Sequence, residues 1–216
     1  MDRQYKVDDI ELDAIKEVGN IGAGNAAISL SKILNKKIEM DVPEAEFIPI
    51  TNFAQKFGGP DRIVMSIYSP ILGDLSGETL FLFSRDCAMG LVDLMMGNQM
   101  GHTKIMDELS ESAFKEMANI FIGSYLNAIS DMVNLKIMPG VPVVATDMVQ
   151  AILDSLLMKM SEYADKVLCN KAKISIEGHP VAGDFIFIFD LETMKLLLQK
   201  MQESYGSELG KNPNGR

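Results

Sequence analysis

The two halves of this 216-residue chain repeat one another, and that repetition limits the fold more than any other feature. Asp13-Ala-Ile-Lys-Glu17-Val-Gly-Asn20 parallels Ser112-Ala-Phe-Lys-Glu116-Met-Ala-Asn119. Glu17 and Glu116, Asn20 and Asn119, and Pro43 and Pro142 all lie 99 residues apart. At the same offset Ile15 matches Phe114, Val18 matches Met117, Gly24 matches Gly123, and Lys37-Ile38 matches Lys136-Ile137. Farther on, Gly77–Phe83 resembles Gly183–Phe189 at an offset of 106, so the second half gains seven residues between its proline and its last strand. The pattern predicts a duplicated unit, about 8–100 and 105–205, with a boundary near Gly97 to Lys104 and a disordered Gly/Asn/Lys/Pro tail over 206–216.

Both units read alike. A long helix (Asp9 to Asn35; Glu108 to Asn134) carries apolar residues at helical spacing, in the first unit Ile15, Val18, Gly22, Ala26, Leu30 and Ile33. Asp8 with Glu11 fits a capping box. A short strand follows (Lys37 to Val42; Leu135 to Met138), then a hairpin (Arg62–Tyr68 with Glu78–Phe83; Val167–Ile176 with Asp184–Phe189) and a closing helix (Asp86–Met96; Leu191–Gln202). The second unit inserts a helix, Thr146 to Tyr163, where the first has a looser segment, Thr51 to Pro60. Strands joined by hairpins favour an α+β fold: a pseudo-twofold antiparallel sheet flanked by two long helices.

Composition removes several function classes. The net charge of −10 lacks the basic face that nucleic acid requires, and suits a basic or metal-bearing protein surface instead. Cys87 and Cys169 form no C-x-x-C pair, and His102 and His179 are far apart, so zinc and redox motifs are missing. Both cysteines read as reduced core residues of a cytoplasmic protein. Met1 to Glu17 is too charged for a secretory signal, and no apolar run is long enough to span a bilayer. Gly22-Ala-Gly24-Asn-Ala-Ala27 matches G-x-G-x-x-A, but a helix rather than a strand precedes it; small residues for close helix packing are the expected meaning. Met95, Met96, Met158 and Met160 are expected in the packed interior.

The chemistry sits on the long helices. At about 100° per residue, Asp13, Glu17 and Asn20 fall within roughly 60° of one another, away from Ile15, Val18 and Gly22. Ser112, Glu116 and Asn119 build the same row in the second unit. Gly19 and Ala118 precede each Asn, and their small size is expected to let a partner approach. A solvated face is the ordinary meaning of exposed charge, but neighbours have drifted (Gly22 against Phe121, Ala26 against Tyr125) while Glu, Asn and Pro have not.

The pattern Asp/Ser-x3-Glu-x2-Asn-x22-Pro, met by Asp13, Glu17, Asn20 and Pro43 and again by Ser112, Glu116, Asn119 and Pro142, resembles the signature of the CheC/CheX/FliY phosphatases. The likeness covers nearly the whole chain outside the tail. Two copies without an added C-terminal switch domain are most similar to the CheC branch. The resemblance implies hydrolysis of the aspartyl phosphate of phosphorylated CheY. In it Asn20 and Asn119 orient the attacking water, and Glu17 and Glu116 contact the regulator's lysine. Asp13 and Ser112 assist helix geometry or docking, and Pro43 and Pro142 fix the turn after the short strand. It implies no cofactor of the chain's own, Mg²⁺ in the CheY partner, and the receptor deamidase CheD as a second partner. The inserted helix is a candidate CheD surface or part of the core. An adaptor that binds phosphorylated CheY or CheD without catalysis, and a flagellar switch component, are the competing readings; a monomer is expected.

Overall fold

The computed structural model describes residues 9–160, 166–189 and 191–209. The first unit comprises α1 (Asp9–Leu34), β1 (Ile38–Pro49), a 3-10 turn (Ile50–Asn52), α2 (Phe53–Lys56), β2 (Ile63–Gly73), β3 (Gly77–Phe83) and α3 (Arg85–Met95). The second comprises α4 (Glu108–Val133), β4 (Ile137–Pro139), β5 (Val143–Met148), α5 (Val149–Met160), β6 (Lys166–Ile176), β7 (His179–Phe189) and α6 (Leu191–Leu209). The seven strands form one antiparallel sheet in the order β1-β6-β7-β3-β2-β4, with β5 also on β2. The chain is therefore mixed α/β, with helices on both faces of the sheet.

The register of β3 on β7 locates the internal twofold. Leu80, the repeat-equivalent of Ile186, pairs with Ile186 itself, and the flanking pairs run symmetrically from Gly77↔Phe189 to Phe83↔Gly183. At both ends a glycine faces a phenylalanine. A Cβ on Gly183 would lie 2.1 Å from the Phe83 ring, and one on Gly77 3.0 Å from the Phe189 ring. At Gly183 the cross-strand ring fills the space a side chain would take, whereas at Gly77 a Cβ would first meet the Ile188 carbonyl oxygen, at 2.5 Å, so that glycine admits close backbone as well as the ring.

Because side chains alternate across a strand, β3 and β7 feed two cores. Phe81, Phe83, Phe185, Phe187 and Phe189 face α1, α3, α4 and α6. Leu80, Leu82, Ile186 and Ile188 face α2 and α5. Within the first core α1 and α4 meet closely: Tyr125 of α4 lies over Gly22 of α1, where a Cβ would be 2.9 Å from three ring carbons. The small residues of the G-x-G-x-x-A stretch thus admit an aromatic ring in the middle of a continuous helix. Each long helix ends on an asparagine with positive φ, Asn35 (48°) and Asn134 (52°), the residue type after glycine that best tolerates this left-handed stop.

Several expectations are revised. The looser segment of the first unit holds α2, which packs in the same layer as α5; four residues are too few to show a helical period. The predicted start of the inserted helix at Thr146 belongs to β5, whose pairing with β2 outweighs local helix preference. Ile33 is 48% exposed and Leu34 takes its place in the core. Met96 (38%) and Met158 (74%) are exposed, whereas Met95 packs against the core. Helix α6 continues through Gly206 to Leu209, so those residues are helical rather than tail. The Asp8–Glu11 capping box and residues 210–216 lie outside the described residues, as does the side chain of Met160.

Candidate functional site

Both rows are on the surface. Asp13 and Glu17 are exposed and Asn20 is half-buried on α1; Ser112, Glu116 and Asn119 are exposed on α4. Ile15, Val18, Phe114 and Met117 between them are buried, so each helix turns its carboxylate and amide outward while its apolar stripe enters the core. The Ser112 hydroxyl donates to the Glu108 carbonyl at 2.8 Å, one turn back along α4. Gly19 and Ala118 are buried. That corrects the expectation that they face a partner: they lie one residue off the row, and their small size serves packing within the chain.

The 22-residue interval between Asn and Pro has a structural meaning. After α1 the chain reverses and β1 returns alongside the helix, so that the backbone N–H of Val42 donates to Oδ1 of Asn20 at 3.3 Å. Pro43 does not close a turn after a short strand, as expected from the sequence; β1 runs on to Pro49. The ladder with β6 steps from Asp41↔Lys173 to Glu44↔Lys171, so Val42 and Pro43 together oppose Ala172 in a bulge. Proline brings no N–H to a ladder and is accommodated at such a break. The second unit breaks at the equivalent place, between Ile71↔Pro139 and Tyr68↔Val143, which leaves Pro142 in the gap between β4 and β5. There the two copies differ. Val42 is wholly buried, whereas Val141 is 80% exposed and Gly140 is held to β2 by its N–H to the Pro70 carbonyl at 2.8 Å. Among the described residues Asn119 has no bond equivalent to that of Asn20.

Of the buried carboxylates that escaped the sequence reading, Glu78 and Asp93, the second organises a whole segment. Asp93 of α3 is fully buried; its Oδ2 accepts from the N–H groups of Gly101 (2.7 Å) and His102 (3.0 Å), and its Oδ1 from that of Thr103 (2.8 Å). Burial pushes its pKa up, but the hydrogen bonds from Thr103, Gly101 and His102 outweigh it and hold the group below the usual carboxylate range. Asp93 thereby fixes the segment that joins the units. The signal was an aspartate within the apolar run Leu91-Val-Asp93-Leu. Among the described residues no three or more His, Cys, Asp or Glu side chains are grouped to hold a metal ion, and no helix is long and apolar enough to cross a membrane.

A helical pair that displays Glu and Asn twice over a shared antiparallel sheet agrees with what comparisons with known proteins find. Residues 10–46 and 109–145, the two segments that run from each long helix past the proline that follows it, match the CheC-like family. The chain is 34% identical to the Bacillus subtilis CheY-P phosphatase CheC over 171 residues, 78% of this chain and 82% of that protein. It is 32% identical over 136 residues to the flagellar motor switch phosphatase FliY of the same organism, covering 61% of this chain and 35% of that longer protein. In fold it matches the crystal structure of Thermotoga maritima FliY with a TM-score of 0.77, at 24% identity over 92% of this chain and 98% of that one. The chain belongs to the CheC-like family.

Proposed function

We propose that this protein is a phosphatase of chemotaxis signalling that hydrolyses the aspartyl phosphate of phosphorylated CheY. The observation that carries the reading is the doubled, outward-facing Glu and Asn row, in a chain 34% identical to a protein named CheY-P phosphatase CheC. Aspartyl phosphate hydrolysis needs a water in line with the leaving carboxylate, and little covalent chemistry from the catalyst. A carboxamide suits that task because it both donates and accepts hydrogen bonds without titrating. Asn20 and Asn119 hold the water; Glu17 and Glu116 bind the regulator's lysine by a charge-assisted bond. Positioning of this kind can remove several kcal/mol from a barrier. Mg²⁺ enters with the regulator. CheD is the second partner in this reading, and the outer face of α5 is open to it: Leu156 is buried but Met158 is 74% exposed. The protein works as a cytoplasmic monomer.

The test is the decay of phosphorylated CheY with and without the chain. Decay accelerates with the intact protein. Glu17→Gln with Glu116→Gln raises KM about tenfold or more, the worth of a lost hydrogen bond to a charged group. Binding of phosphorylated CheY with no acceleration, even with CheD present, would leave a non-catalytic adaptor in place of an enzyme.

A further inference from the structure

We propose that the bulge at Val42–Pro43 is a positioning device for Asn20, with the Val42 backbone N–H acting as a latch on the carboxamide; this deepens the phosphatase reading and rests on it for its catalytic meaning. A backbone N–H can only donate, so the atom of Asn20 that faces it must be the amide oxygen. The amide nitrogen and the second lone pair of Oδ1 are then the groups left to hold a water. Val42 has an N–H to spare because the bulge sets two residues, Val42 and Pro43, against Ala172 alone. Proline holds the bulge at this place. A residue without an N–H cannot donate to the ladder, so proline suits the break in pairing at this position. The Val42 side chain, wholly buried, prevents the segment from rolling outward. Copy two supplies the internal contrast, since Val141 is 80% exposed and its segment is tied to β2 instead.

Amide hydrogen exchange on the intact chain tests the latch without reference to catalysis. The Val42 amide exchanges slowly in the parent protein. Asn20→Ala speeds it at least about fivefold, the worth of one hydrogen bond, and leaves Met40 unchanged. Asn20→Asp, which keeps an acceptor, restores protection. Asn119→Ala leaves Val141 unaffected. A Val42 amide indifferent to Asn20→Ala overturns the latch whether or not the protein is a phosphatase. The catalytic consequence is read in an Asn119→Ala background, where only copy one acts. There Pro43→Ala lets the bulge slide; kcat for CheY dephosphorylation falls about fivefold or more while KM holds, because aim is lost and docking is not. An unchanged kcat overturns the positioning role. If exchange responds as expected but the intact chain never accelerates dephosphorylation, the phosphatase reading fails and the latch stands.

Discussion

Replacing Gly22 and Gly24 by alanine, one at a time, isolates the cost of bringing α1 against α4. The two glycines lie two residues apart in the interior of one helix, so each Gly→Ala change gains about 0.5–1 kcal/mol of helix propensity. Gly24 is exposed with nothing within 4 Å of a new Cβ, so G24A keeps that gain. At Gly22 the new Cβ would sit 2.9 Å from three carbons of the Tyr125 ring. That ring is 1% exposed, stacked 4.0 Å from Phe187 and edge-on to Phe185 at 5.5 Å, so it has no direction in which to yield. Overpacking of this kind costs about 1–3 kcal/mol. G24A is therefore expected to raise the urea midpoint and G22A to lower it, with a separation of about 1–3 kcal/mol between the two variants. Because α1 and α4 also carry the two rows, G22A is the variant expected to slow dephosphorylation as well. Equal stabilisation by both substitutions would refute the close-packing argument.

Asp93→Asn replaces one of the two acceptor oxygens by an NH2 donor, so that at least one of the N–H groups of Gly101, His102 and Thr103 loses its acceptor, and is expected to cost about 2–4 kcal/mol in urea unfolding. Since the folded pKa of Asp93 is depressed, its contribution is fully present above the unfolded carboxylate value of about 4 and is lost as pH falls through the lower folded value. The stability gap between parent and D93N should accordingly close below about pH 4, and a gap that widens on acidification would contradict the assignment. Val42→Ala should destabilise by about 1.5–3 kcal/mol and Val141→Ala by less than about 0.5, because only the first is buried; comparable losses would deny the difference between the two copies.

The repeat was legible because its markers are specific: Glu, Asn and Pro at one spacing, and Gly–Phe segments that pair across the twofold. The helices and hairpins followed from periodicity. Sheet order did not, since the pairing of β3 with β7 around Leu80 and Ile186 joins residues 106 apart and leaves no local trace. Pro43 was misread for a related reason. Proline ends an interior strand, but β1 is an edge strand, where a bulge absorbs it. The rows at Glu17, Asn20, Glu116 and Asn119 could be placed on one helix face by angle alone. That Asn20 is held by Val42 and Asn119 is not held by Val141 depends on whether the bulge turns in or out, which tertiary contacts decide. Asp93 has its meaning only through the loop that folds back onto it, since nothing local in the sequence brings Gly101, His102 and Thr103 to its carboxylate.

The central claim is that Asn20 and Asn119 supply the catalytic amides. Its most direct test is the decay of phosphorylated CheY, with Mg²⁺ and a small-molecule phosphodonor, in the presence of the intact chain or of the Asn20→Ala/Asn119→Ala double variant. The account predicts faster decay with the intact chain, and a return to the regulator's own rate with the double variant, which is expected to fold and to bind phosphorylated CheY through Glu17 and Glu116. A double variant that accelerates decay as well as the parent would contradict it.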